Sequence, residues 1–169
     1  MSKITGLKAR EILDSRGIPT VETAIWLDTR QVAVASVPAG TSTGKYEAVE
    51  LRDGDKERFD GMGVLKAVAN VNLVIAPKLM GLDPTNQQAI DQMMIDMDGS
   101  PNKAKLGANA ILSVSQAVCE VASAASGVPI YQYLLLKYKL AADPVRMPTP
   151  IFNVINGGKH GAGNLDFQE

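Results

Sequence analysis

The feature that most restricts the fold of this chain is a change of hydrophobic period. The first part repeats every two residues and the middle repeats every three to four. Over residues 20–28, Val21, Thr23, Ile25 and Leu27 alternate with Thr20, Glu22, Ala24, Trp26 and Asp28, which predicts a strand with one buried face. Residues 3–13, where Leu7 and Ala9 sit among Lys8 and Arg10, predict a strand before it. Residues 31–37 follow closely enough to pair with the second strand through a tight turn at Thr29 and Arg30. That turn holds no glycine, so it leaves the register open. Between the first two strands lies Asp14-Ser15-Arg16-Gly17-Ile18-Pro19, a turn-rich link in which Asp14 and Arg16 either pair or face solvent. An antiparallel three-stranded meander then ends at Pro38.

Helical spacing begins at Val64, Leu65, Val68 and Val71 and predicts a short helix interrupted before Pro77, which lacks an amide donor. A second helix is expected from Asp83, a capping side chain ahead of Pro84. Ile90, Met93, Met94 and Met97 form its buried stripe and Gly99 its end. The longest helix is expected over residues 106–126, with Ile111, Val114, Val118, Val121 and Ala125 on one face. Ala110, Ala117 and Ala122 beside them permit close packing. Gly127 and Pro129 stop it, and a further helix covers residues 129–138. Strands first and helices afterwards, without alternation, give an α+β domain rather than a doubly wound one. Residues 139–150 read as a linker, and Ile151, Phe152, Val154 and Ile155 as a short buried strand before Asn156-Gly157-Gly158.

Composition narrows the function. A chain of 169 residues, 46% hydrophobic and 21% charged, can bury a core of ordinary size. A formal charge of −1 and a pI near 5.9 offer no basic stripe, so no nucleic acid partner is expected. No apolar run approaches the ~20 residues of a spanning helix, and the first residues lack the order of a secretory signal. The expectation is therefore a cytoplasmic protein without a membrane span. The single cysteine, Cys119, falls in an Ala/Val-rich helical pattern and reads as a packing residue rather than a nucleophile.

The stretch with most chemical content is Ala39-Gly40-Thr41-Ser42-Thr43-Gly44-Lys45-Tyr46-Glu47, where glycines bracket three hydroxyls in a loop able to lie close over something polar. It is not a phosphate-cradling P-loop. Aligned on Gly44-Lys45, Ala39 stands where the first glycine is needed and Tyr46 where the hydroxyl is needed. Nor do Gly161 and Gly163 make a dinucleotide fingerprint, because Asp166 occupies the place of its third glycine.

Five blocks carry a resemblance. They are Ile12-Leu13-Asp14-Ser15-Arg16-Gly17-Ile18-Pro19-Thr20-Val21-Glu22; Val37-Pro38 with the loop to Gly44; Glu50-Leu51-Arg52-Asp53-Gly54-Asp55; Lys105-Leu106-Gly107-Ala108-Asn109-Ala110-Ile111-Leu112; and Asn153-Val154-Ile155-Asn156-Gly157-Gly158-Lys159-His160, with Gln168-Glu169 closing the set. In this order and spacing the chain resembles the N-terminal portion of the enolases, the phosphopyruvate hydratases. Ala39, Thr41 and Ile18 depart from the residues common in that family and touch no role that the resemblance carries over.

The resemblance implies a capping domain over residues 1–138, a linker over residues 139–150, and the first strand of a C-terminal α/β barrel within residues 151–169. It implies a magnesium-dependent hydro-lyase interconverting 2-phosphoglycerate and phosphoenolpyruvate, and a homodimer formed through this domain. That enolase-superfamily sites use a Lys or His base with one or two magnesium ions is a property of the superfamily, not a reading of this chain. Residue by residue, Ser42 resembles the loop serine that ligates the second magnesium. His160 resembles the histidine that approaches the substrate phosphate. Glu169 resembles the carboxylate that assists hydroxide departure and Gln168 its substrate-contacting neighbour, while Gly40 counts as a substrate-binding backbone position. The base lysine, the three carboxylates of the first magnesium and the main acid glutamate are expected outside these residues. The 169-residue chain by itself is thus expected to be inactive, the alternative being a non-catalytic capping domain that serves dimerisation or binding.

Overall fold

β1 (Ile4–Leu13), β2 (Pro19–Leu27) and β3 (Val32–Val37) form one antiparallel sheet in the order β1-β2-β3. These elements come from a computed structural model, which describes residues 2–40, 44–140, 146–158, 161 and 165–167. The alternation read in β2 decides which face is covered: Val21, Thr23, Ile25 and Leu27 are buried, whereas Trp26 is 38% exposed. The turn into β3 is closed by the Arg30 amide on the Leu27 carbonyl (3.1 Å) and the Leu27 amide on the Gln31 carbonyl (3.0 Å). Arg30 itself takes the left-handed conformation, φ +72°, that a glycine would otherwise supply. This settles the register left open by the sequence and sets Trp26 opposite Val32.

The helices cover the face that β2 buries. α1 (Leu65–Ala69) runs into a π-helical segment, Asn70–Ile75, and on into α2 (Ala76–Leu79). The expected break before Pro77 is therefore absent. Proline cannot donate to the carbonyl four residues back and its ring crowds it, and the wider turn of the π segment makes room for that ring. α3 (Gln87–Asp98) begins later than expected, because Asp83 folds a turn instead of capping the helix: its Oδ1 accepts from the Thr85 amide (2.9 Å) and hydroxyl (2.7 Å). Ile90 and Met94 are buried and Met93 and Met97 pack beside them, so the methionine stripe is core.

α4 (Ala108–Ser126) lies beneath β2 and β3, and α5 (Ile130–Tyr138) follows it. Ala110, Ala117 and Ala122 have no exposure, and Ala110 and Ala117 belong to the main core cluster with the sheet's buried residues. The Thr23 and Ser113 hydroxyls pair across this contact at 2.8 Å. Cys119 is half-buried on α4, and burial, then Asp91 and Glu120, push its thiol above its ordinary value. That environment suits packing, not a nucleophile. Among the described residues no single helix is long and apolar enough to cross a membrane.

The other edge of the sheet is closed by side chain and loop. On β1 the Asn72 carboxamide imitates a neighbouring strand, accepting from the Ala9 amide (2.8 Å) and donating to the Ala9 carbonyl (3.0 Å). Gly81 and Leu82 pair with the backbone of Ile4 on the same edge. The strand expected at residues 151–155 is not formed. Ile151, Phe152 and Val154 are 95%, 78% and 86% exposed, and no described strand offers them a ladder.

One buried carboxylate holds the connection between α3 and α4. Asp98, with no exposure, accepts from the Ser100 hydroxyl and amide (3.0 Å for the amide) and from the Lys105 (3.1 Å) and Leu106 (2.7 Å) amides. Burial pushes its carboxyl up, but these donors together outweigh burial and hold it below the usual carboxylate range. A depressed folded pKa contributes stability above the unfolded value, about 3.9, that drains away as pH falls through the folded one. Asp98→Asn sets an NH2 against backbone donors. It is expected to cost about 2–3 kcal/mol at neutral pH and to flatten the acid limb below about pH 4, read by urea titration across pH.

Candidate functional site

The glycine and hydroxyl loop leaves the sheet at the end of β3, and its two flanks are fixed by different means. Upstream, Asp14 Oδ1 accepts from the Arg16 (2.8 Å) and Ile18 (3.0 Å) amides, and its other oxygen meets the Arg16 guanidinium at 3.3 Å. The Ile18 amide is the largest influence on this carboxyl; with the Arg16 amide and guanidinium it outweighs burial and holds Asp14 below its ordinary value. Arg16 in turn donates to the Ala39 carbonyl. Ala39 is buried and Gly40, the next residue, is exposed. The Asp14 and Arg16 pair left open by the sequence thus forms, and its service is to hold the backbone just ahead of the loop.

Downstream, residues 49–51 are hydrogen-bonded to the start of α4 and to the loop before it. The Val49 amide donates to the Asn102 carbonyl (2.7 Å) and the Val49 carbonyl accepts from the Ala108 amide (2.8 Å). The buried Asn109 carboxamide then takes both backbone groups of Leu51, each at 3.1 Å. Gly107 makes this approach possible. It sits at φ +96°, and a Cβ there would come within 2.6 Å of both Asn109 Oδ1 and Leu51 Cβ. Arg52 extends the anchorage, donating to the Pro19 (2.6 Å) and Met62 (2.7 Å) carbonyls and pairing with Glu50 (2.6 Å).

A third cluster joins the same region to β1. Arg58 forks onto Glu11, which also accepts from the Val64 amide at 2.8 Å. The Arg58 bond, against the opposing push of burial and with help from the Val64 amide, holds the Glu11 carboxyl below its usual range. Asp53 accepts from the Leu65 (2.9 Å) and Lys66 (2.8 Å) amides and so satisfies the first turn of α1 from outside the helix.

Of the residues singled out in the sequence, Gly40 is the one described; Ser42, His160, Gln168 and Glu169 lie outside the described residues. Arg16, Arg52, Asn109 and Gly107 were not picked out for this anchoring, although each falls inside a block that carries the resemblance. Among the described residues no group of three or more His, Cys, Asp or Glu could hold a metal ion. Glu11, Asp14, Asp53 and Asp98 are engaged with amides and guanidinium groups, so these carboxylates are structural.

The family description "Enolase, N-terminal domain" matches residues 4–134. The chain belongs to the enolase family. A three-stranded antiparallel sheet followed by helices agrees with the capping domain of an enolase, and the match takes in all three strands and α1 to α4. It also spans the loop that holds Gly40 and Ser42, and ends before His160, Gln168 and Glu169.

The Gly107 geometry gives a direct test. Gly107→Ala is expected to cost about 1–3 kcal/mol, the range for a side chain forced into the glycine half of conformational space, with further loss from the clash at Leu51. A lowered urea midpoint with an unchanged slope is the expected reading.

Proposed function

We propose that this chain supplies the lid and part of the wall of an enolase pocket that interconverts 2-phosphoglycerate and phosphoenolpyruvate, in the cytoplasm and as a homodimer. The observation that carries this reading is the family match over residues 4–134, on a chain whose sheet and helices follow that domain. The anchored flanks support it: Arg16 holds the backbone at Ala39, and Asn109 holds it at Leu51.

The chemistry explains the residue types. A proton beside a carboxylate is very weakly acidic, and removing it creates a doubly charged intermediate. Magnesium, when bound, supplies the positive charge that such an intermediate requires. On this reading the carboxylate ligands of that ion belong to the barrel half of the enzyme. On this reading Ser42 offers a hard hydroxyl oxygen to the second ion. His160 donates to the substrate phosphate, Gln168 contacts substrate, and Glu169 assists departure of hydroxide, a poor leaving group that needs a proton.

The purified 169-residue polypeptide, assayed for phosphoenolpyruvate formation with magnesium present, is expected to give no turnover by itself. Supplied with the barrel half of an enolase, joined or added as a separate chain, it is expected to give magnesium-dependent turnover. Turnover by the isolated polypeptide would refute the first expectation. Silence in a folded assembly with the barrel would leave the non-catalytic capping domain as the better reading.

In the same assembly Ser42→Ala is expected to weaken the dependence of the rate on the second magnesium. Titration of the rate with magnesium reads this, and an unaltered curve would count against the ligand role of Ser42.

A further inference from the structure

We draw no further inference here: the strongest candidate, the uncharged outer edge of β3 at Val32, Val34 and Ser36, which the described residues leave without a neighbouring strand while Asn72, Gly81 and Leu82 close the edge of β1, carries nothing because nothing in the structure shows what covers it.

Discussion

Backbone amides and carbonyls outside the regular elements must find partners when they are buried, and this requirement governs the whole non-helical part of the domain. An unpaired buried group costs about 1–3 kcal/mol, so a handful of them would consume the stability of a domain this size. Side chains meet the demand. Asn72 completes the edge of β1, Asn109 takes both backbone groups of Leu51, and Asn70 takes the Lys105 and Leu106 carbonyls at the mouth of α4. A carboxamide is suited to this because its donating NH2 and accepting oxygen lie side by side, as the N–H and C=O of a strand residue do. Asp98 does the same work where only donors point inward, since a carboxylate accepts and never donates.

These clamps also link the two halves of the fold. The π segment carries Asn70 toward the α3–α4 connection and Asn72 toward β1, so one short stretch of widened helix braces both. A regular α-helix would place residues two apart about 200° around its axis, and the wider turn changes that angle. Pro77 and the π segment therefore belong together: the proline removes a donor just where the helix is already unwound to aim two asparagines.

What was legible in the sequence follows from the range of the forces involved. The sheet, α4, α5 and the methionine stripe of α3 depend on periodicity, which is local, and all were read from the order of apolar residues. The misread boundaries share another cause. Asp83 ahead of Pro84 has the composition of a helix start, but its side chain closed a turn on Thr85 two residues on, a competing local bond with the same chemistry. Ile151, Phe152, Val154 and Ile155 have strand composition, yet a strand exists only beside another one, and composition does not say where the partner is. Arg16 on Ala39 and Asn109 on Leu51 bridge 23 and 58 positions of sequence, so no pattern along the chain reveals them. The bonds that hold the backbone on either side of the glycine and hydroxyl stretch were not legible in it.

The division of charge in the domain bears on the proposed chemistry. Its well-placed carboxylates, Glu11, Asp14, Asp53 and Asp98, are satisfied by amides or by arginine, and moving any of them to a metal would orphan the donors they now hold. The ligand proposed on the lid, the Ser42 hydroxyl, is neutral. A neutral oxygen binds magnesium weakly compared with a carboxylate, and that weakness has a use. A charged ligand on the lid would favour closure over an ion already in place, whether or not substrate was present, and would slow release of product. On the proposed reading a hydroxyl adds too little to hold a lid shut by itself, and closure would depend on the second ion and on the phosphate and carboxylate that arrive with the substrate. The bonds at Ala39 and Leu51 fit that proposal, because they hold the backbone on either side of the stretch that carries Ser42.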